Sequence, residues 1–130
     1  MKATVVVGVL VSVGVLAALL SVPHAHAQVK PEEAAKVRAA AEQYVKQEQQ
    51  QKGGFFLRGQ DKVLRDLQFG YVHSGVEKPS ANQFAVCVDF LDQNKKRLDV
   101  DFYFSPNTSG GYDVKQIKVH KIDGVEQKEK

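Results

Sequence analysis

The sequence predicts an α+β domain in which one long N-terminal helix packs on a four-stranded antiparallel meander sheet. Apolar and polar residues alternate across residues 84–104 on both sides of a polar break, which is typical of a β-hairpin with one buried face. Apolar residues recur at three- and four-residue spacing between residues 31 and 52, as in an amphipathic helix. Short loops between the predicted strands favour antiparallel pairing of consecutive strands.

The first 27 residues have the pattern of a secretory signal peptide. Lys2 precedes an almost wholly apolar run over residues 5–20, Pro23 breaks the run, and Ala25-His26-Ala27 forms an A-x-A cleavage site. An uncleaved membrane anchor is the alternative, but the run is at the short end for spanning a bilayer. We therefore expect a signal peptide over residues 1–27, a single domain over residues 28–130, and a protein exported to the periplasm or secreted, without stable membrane association after cleavage.

Charge and cysteine content exclude several classes of function. The chain has 18 basic and 15 acidic residues, and removal of Lys2 with the signal peptide lowers the net charge from +3 to +2. So mild a charge, without a basic stripe, argues against nucleic acid as a partner. Cys87 is the only cysteine, which excludes an intramolecular disulfide and zinc sites with two or more cysteine ligands.

The predicted elements follow one another closely. Pro31 and two acids suit the first turn of the helix, and Gly53-Gly54 ends it. Residues 55–57 form a short apolar run, residues 63–73 form the first strand, and residues 75–82 form a loop. The central hairpin follows, then the turn at residues 106–111, and a last strand from residue 112 to 122. We expect residues 126–130 to be a frayed, charged tail.

This order of elements resembles the cystatin-like and NTF2-like rolls, in which a long helix lies across a curved antiparallel sheet. The resemblance covers the mature chain but is one of element order, not of motif. The inhibitory Q-x-V-x-G loop of cystatins is missing, since residues 83–87 stand in the nearest comparable place and lack the glycine. Larger NTF2-like enzymes have two further helices that close a pocket, and this chain has no room for them.

Three acids form the most suggestive group of polar residues. A hairpin with a three-residue loop at residues 93–95 places Asp89 opposite Asp99 and Cys87 opposite Asp101. Like charges opposite each other are unfavourable, so positive charge should lie nearby. One interpretation is a cation site with carboxylate ligands. The other is a solvated outer face on which Arg97, with Lys118 or His120, supplies the opposite charge.

Other candidate residues have less support from the sequence. Carboxylates near Cys87 disfavour a reactive thiolate, and neither His73 nor His120 has a Ser or Cys arrangement that suggests a triad. Tyr71 is predicted on the inner face, and His73 continues that face at the strand end. Tyr71 and Tyr44 on the helix are candidates to line a small cavity with a polar mouth. The sequence thus assigns no catalytic residue, no metal ligand and no cofactor.

The function predicted from the sequence is a small exported binding or interaction module without catalytic activity. It would bind an unknown protein or small molecule and exist as a monomer or weak dimer. A small-pocket enzyme of the isomerase or dehydratase type and a cation-binding protein are the alternatives. A cystatin-type protease inhibitor is a poorer one.

Export makes the first testable prediction. Because the A-x-A motif ends at Ala27, the mature protein should begin at Gln28. Intact-mass measurement of protein recovered from the exported fraction checks this. A mass that retains residues 1–27 would contradict it.

Overall fold

The computed structural model describes residues 28–128, so the predicted signal peptide lies outside the described residues. One helix is followed by six strands: α1 Pro31–Lys52, β1 Phe55–Arg58, β2 Leu64–Ser80, β3 Gln83–Leu91, β4 Arg97–Pro106, β5 Tyr112–Ile122 and β6 Val125–Glu126. The strands form one antiparallel sheet in which their spatial order follows the chain.

The helix has the predicted bounds. It begins at Pro31 after an extended Lys30, with two acids in its first turn. It ends where Gly53 adopts a left-handed conformation (φ 75°) and donates its backbone N–H to the Gln49 carbonyl at 2.9 Å. Its apolar stripe, Val37, Ala41 and Val45, is fully buried.

The predicted four-stranded sheet is wrong, because residues 28–128 contain six strands. β1 is only four residues long, too short for its alternation to stand out in the sequence, and it pairs with the start of β2. β6 follows Asp123 and Gly124, which both have positive φ (48° and 78°) and return the chain so that Val125 pairs with Ile122. Asp-Gly at a two-residue turn is a strong hairpin signal. The prediction missed this hairpin because the charged residues that follow it were interpreted as a frayed tail.

Residues 75–80 also differ from the prediction, because they belong to a strand and not to a loop. β2 is 17 residues long and stays paired with β3 as far as Ser80 opposite Gln83. Its register shifts three times on the way. Gly75 and Pro79, which suggested a loop, thus lie within an irregular strand, where glycine and proline accompany bulges.

The hairpin of β3 and β4 has the predicted register and loop. Val88 pairs with Val100, which places Asp89 opposite Asp99. The Asp92 N–H donates to the Lys96 carbonyl at 2.9 Å, leaving residues 93–95 as a three-residue loop. This hairpin therefore fixes which side chains face the core and which face outward.

The inner face of the sheet curls around an aromatic core. Adjacent strands lie about 4.8 Å apart, so a flat sheet would hold β1 about 10 Å from β3. The Phe55 ring nevertheless lies 5.1 Å from that of Phe90 and 6.2 Å from that of Phe102. The Gln60 side-chain amide, beyond β1, reaches the Val119 carbonyl of β5 at 3.1 Å. The β1–β2 hairpin thus folds over the inner face beside the helix and leaves the outer face uncovered.

Burial of the core gives a prediction for stability. Phe102 is fully buried, so Phe102→Ala should lower the free energy of unfolding by about 3–5 kcal/mol. Phe56→Ala is the matched control, since Phe56 is 44% exposed and its loss should cost about 1 kcal/mol or less. Urea denaturation of both variants measures the difference. Equal losses would show that the core is assigned to the wrong face.

Candidate functional site

A bulge at Gly70 turns Tyr71 and His73 onto the outer face of the sheet. Phe69 pairs with Phe90 and Tyr71 pairs with Asp89, so two steps along β2 match one step along β3. The sequence placed Tyr71 and His73 inside because period-two counting assumes an unbroken pleat. That placement is wrong, and Tyr71 is 54% exposed.

Gly70 permits the bulge because β2 approaches β3 closely there. A Cβ atom on Gly70 would lie 2.7 Å from the Asp89 carbonyl oxygen, closer than real Cβ atoms come. A second irregularity follows, since Val72 pairs with Val88 and Val76 with Val86. Residues 73–75 therefore bulge from the strand, and His73 comes to lie over β3.

Asp89 is the centre of the polar network on this face. Its carboxylate lies 2.6 Å from His73 Nε2 and 3.0 Å from Arg97 Nε, and it accepts a hydrogen bond from the Tyr71 hydroxyl. The Tyr71 and His73 rings stack at 5.0 Å above it, and Asp89 is only 6% exposed. Burial raises the pKa of its carboxyl, but the hydrogen bonds from His73 and Tyr71 and the charges of His73 and Arg97 outweigh burial and hold it below its ordinary value.

The positive charges expected near the acids are present. Arg97 Nε lies 3.0 Å from Asp89 and 3.3 Å from Asp99, so it bridges the two facing carboxylates. His120 Nδ1 lies 3.3 Å from Asp101. Both contacts were predicted, and they relieve the like-charge opposition that the strand register imposes.

Cys87 lies between the two histidine–aspartate pairs. Its thiol donates a hydrogen bond to Asp101, which is directly opposite on β4. Burial raises the pKa of the Cys87 thiol to about 12, and the charges of Asp101, Asp99 and Asp89 act in the same direction. The thiol is therefore protonated at neutral pH and is a weak nucleophile.

The structure also brings together three donor atoms that sequence reasoning left apart. One atom each from His73, Cys87 and Asp89 lie within 4.8 Å of one another. The sequence indicated no partners for His73, because the bulges that carry it over Cys87 and Asp89 were not recognised. Gly70 and the Ser74-Gly75 pair were the only signals in the sequence that pointed to those bulges.

These side chains surround an open cavity of about 650 Å³, which we call the outer cavity. Asp89 adjoins it beneath Tyr71 and His73. The polar and aromatic side chains that line the outer cavity are Tyr71, His73, Ser74, Glu77, Cys87, Asp99, Asp101, Tyr103, His120 and Lys121.

Tyr44 lies on the opposite side of the sheet from the outer cavity. Its ring packs edge-on against Phe55 and Phe102 and lines a separate groove of about 740 Å³ between the helix and the β4–β5 turn. A common cavity for Tyr44 and Tyr71 is therefore excluded. Of the predicted site residues, the outer cavity brings together Tyr71, His73, Asp99, Asp101 and His120, with Asp89 adjoining.

Comparison with known proteins adds no relative. No protein-family model, no curated protein and no solved structure matches this chain. The resemblance to the cystatin-like and NTF2-like rolls is accordingly untested. Within residues 28–128, no helix has the length and apolar character needed to cross a membrane.

The close approach at Gly70 gives a testable prediction. Gly70→Ala should destabilise the protein by about 1–3 kcal/mol, because the new methyl group meets backbone rather than a side chain that can move. Gly75→Ala is the matched control in the same strand, since nothing lies within 4 Å of the position that its methyl group would take, and it should change stability by about 0.5 kcal/mol or less. Chemical denaturation measures both. A Gly75→Ala loss as large as that of Gly70→Ala would contradict the bulge argument.

Proposed function

We propose that this chain is an exported binding module without catalytic activity, and that it binds a divalent cation at the outer cavity. The observation that carries this proposal is the convergence of donor atoms from His73, Cys87 and Asp89 within 4.8 Å. Imidazole, thiol and carboxylate are the three side-chain groups that most often ligate metals in proteins.

The electrostatic surroundings also favour a cation. Asp99 and Asp101 lie beside the three donors on the facing strand, and both are only partly exposed. Carboxylates in a partly dehydrated cavity attract a cation more strongly than they would in water. Arg97 contacts Asp99 and His120 contacts Asp101, so basic side chains already lie against these acids.

Accessibility is the third support. The Asp89 carboxylate is almost completely buried, but the His73 side chain above it is 33% exposed and borders the outer cavity. An ion can therefore reach the donors from solvent without unfolding of the sheet. The helix and the β1–β2 hairpin cover only the other face.

The same residues support catalysis poorly. A Cys–His–Asp group suggests a thiol nucleophile, but such an enzyme needs a thiol pKa near or below neutrality. The pKa of Cys87 is about 12, because of burial and the neighbouring carboxylates. Export, as the signal-peptide pattern predicts, is the cellular setting that we propose for this binding.

Thermal unfolding tests the proposal. Mature protein treated with EDTA should unfold at a higher temperature when a divalent cation is added, and a panel of Mg²⁺, Ca²⁺, Mn²⁺, Co²⁺, Ni²⁺ and Zn²⁺ covers the main classes. A cation at 100 times its dissociation constant adds about 2.7 kcal/mol to the free energy of unfolding. For a domain of this size, that raises Tm by roughly 10–20 °C.

Two variants make the test specific to the site. Asp89→Asn should abolish the rise in Tm, because it removes the central carboxylate. Asp66→Asn is the control, since Asp66 is an exposed strand aspartate outside the outer cavity, and its Tm should still rise with the cation. If no cation in the panel raises Tm, or if Asp89→Asn responds as the unchanged protein does, the proposal is wrong.

A further inference from the structure

We infer that the cation is a transition-metal ion of the zinc class, held by the Cys87 thiolate, a His73 imidazole nitrogen and the Asp89 carboxylate. This inference rests on the proposed function and names the metal class and the ligands of the same site. It also makes Cys87 a direct metal ligand, whereas the sequence analysis predicted an unreactive thiol.

The donor set distinguishes among cations. Ca²⁺ takes six to eight oxygen ligands and Mg²⁺ prefers a shell of oxygen atoms that includes several waters. Here only one of the three converging donors is oxygen, and the others are sulfur and nitrogen. Zn²⁺ and Co²⁺ bind thiolate, imidazole and carboxylate together.

The distances fit this class after a small movement. Metal–ligand bonds of 2.0–2.3 Å in a tetrahedral site place neighbouring donor atoms about 3.3–3.8 Å apart. The three donors lie within 4.8 Å of one another, so the widest gap closes by about 1.5 Å or less. The His73–Asp89 contact of 2.6 Å opens by under about 1 Å as the ion replaces the proton between them.

Charge and protons balance at the site. The S–H bond of Cys87 breaks, a sulfur–metal bond forms, and the proton leaves to solvent through the outer cavity. The proton between His73 Nε2 and Asp89 also leaves Nε2: an imidazolium releases it to solvent, and a neutral ring carries its one proton on Nδ1 instead. The thiolate and the Asp89 carboxylate together neutralise the dication, while the imidazole is neutral. Arg97 then remains paired with Asp99. Burial and negative neighbours raise the pKa of Cys87, and direct coordination by a dication outweighs both effects on the thiolate.

The fourth position has a candidate ligand on β4. Asp101 already accepts the hydrogen bond of the Cys87 thiol and is half-buried beside it. Burial raises the pKa of Asp101, although the charge of His120 opposes this. We place Asp101 as the fourth ligand or as the hydrogen-bond partner of a water in that position. His120 contacts Asp101 from the far side and positions it.

Cobalt provides the direct test, because a thiolate bound to Co²⁺ gives a charge-transfer band in the near ultraviolet. EDTA-treated mature protein should show this band on titration with Co²⁺. One equivalent of Zn²⁺ should then displace the Co²⁺ and abolish the band. Cys87→Ser should lose the band and weaken Zn²⁺ binding by at least about tenfold in calorimetry.

Variants of the two histidines test the ligand set independently of Cys87→Ser. His73→Gln should weaken Zn²⁺ binding at least about tenfold, since it removes a ligand. His120→Gln lies on the same face but outside the ligand set, so its Zn²⁺ affinity should change less than that of His73→Gln and its cobalt band should persist. Circular dichroism checks that each variant is folded.

The outcomes separate this inference from the proposed function. Binding of Ca²⁺ or Mg²⁺ but not of Zn²⁺ or Co²⁺ would overturn the metal class and leave a cation-binding module. Co²⁺ binding to the unchanged protein without a charge-transfer band would overturn the role of Cys87 alone. Equal effects of the two histidine variants would overturn the role of His73. Binding of no cation would overturn both proposals.

Discussion

The register between β3 and β4 is the constraint on which the rest of the structure depends. Pairing Val88 with Val100 places every second side chain of both strands in the core. The same pairing sets Asp89 against Asp99 on the other face. A core built from this hairpin therefore cannot form without bringing carboxylates together, and the chain has to supply positive charge or hydrogen-bond donors to the outer face.

Two of the three donors to Asp89 come from β2, where a regular pleat would not place them. Arg97 begins β4 and bridges two acids, while the bulges of β2 bring His73 and Tyr71 over Asp89. Burying a carboxylate costs free energy unless hydrogen bonds replace the lost water. Asp89 receives three such donors, which offset that cost. The outer face consequently holds a buried carboxylate within a polar network, while Tyr71 and Arg97 around it stay about half exposed.

How much the sequence predicts depends on how regular each element is. Period-two alternation was sufficient to predict the β3–β4 hairpin, its three-residue loop and the Arg97 counter-charge. Three- to four-residue spacing was sufficient to predict the helix. Period-two alternation failed at β2. Position 70 requires glycine because the Asp89 carbonyl oxygen lies against it. Asp89 is 19 residues away in the chain, so only folding brings the two positions together. The error about Tyr71 follows from that tertiary contact, and the error about His73 follows from it together with the bulge at residues 73–75. The short strands β1 and β6 were missed because few residues define them.

The chemistry of Cys87 follows from the same arrangement of charges. Burial and the charges of three nearby carboxylates hold the proton on the Cys87 thiol, so they oppose its use as a nucleophile. In the proposed site, the same carboxylates would attract a dication to the outer cavity, and the dication would stabilise the thiolate. A site arranged for thiol catalysis would need the opposite field, with positive charge beside the sulfur in the free protein. The charges around Cys87 thus favour the proposed ligation over catalysis, although the Cys, His and Asp side chains alone would suit both.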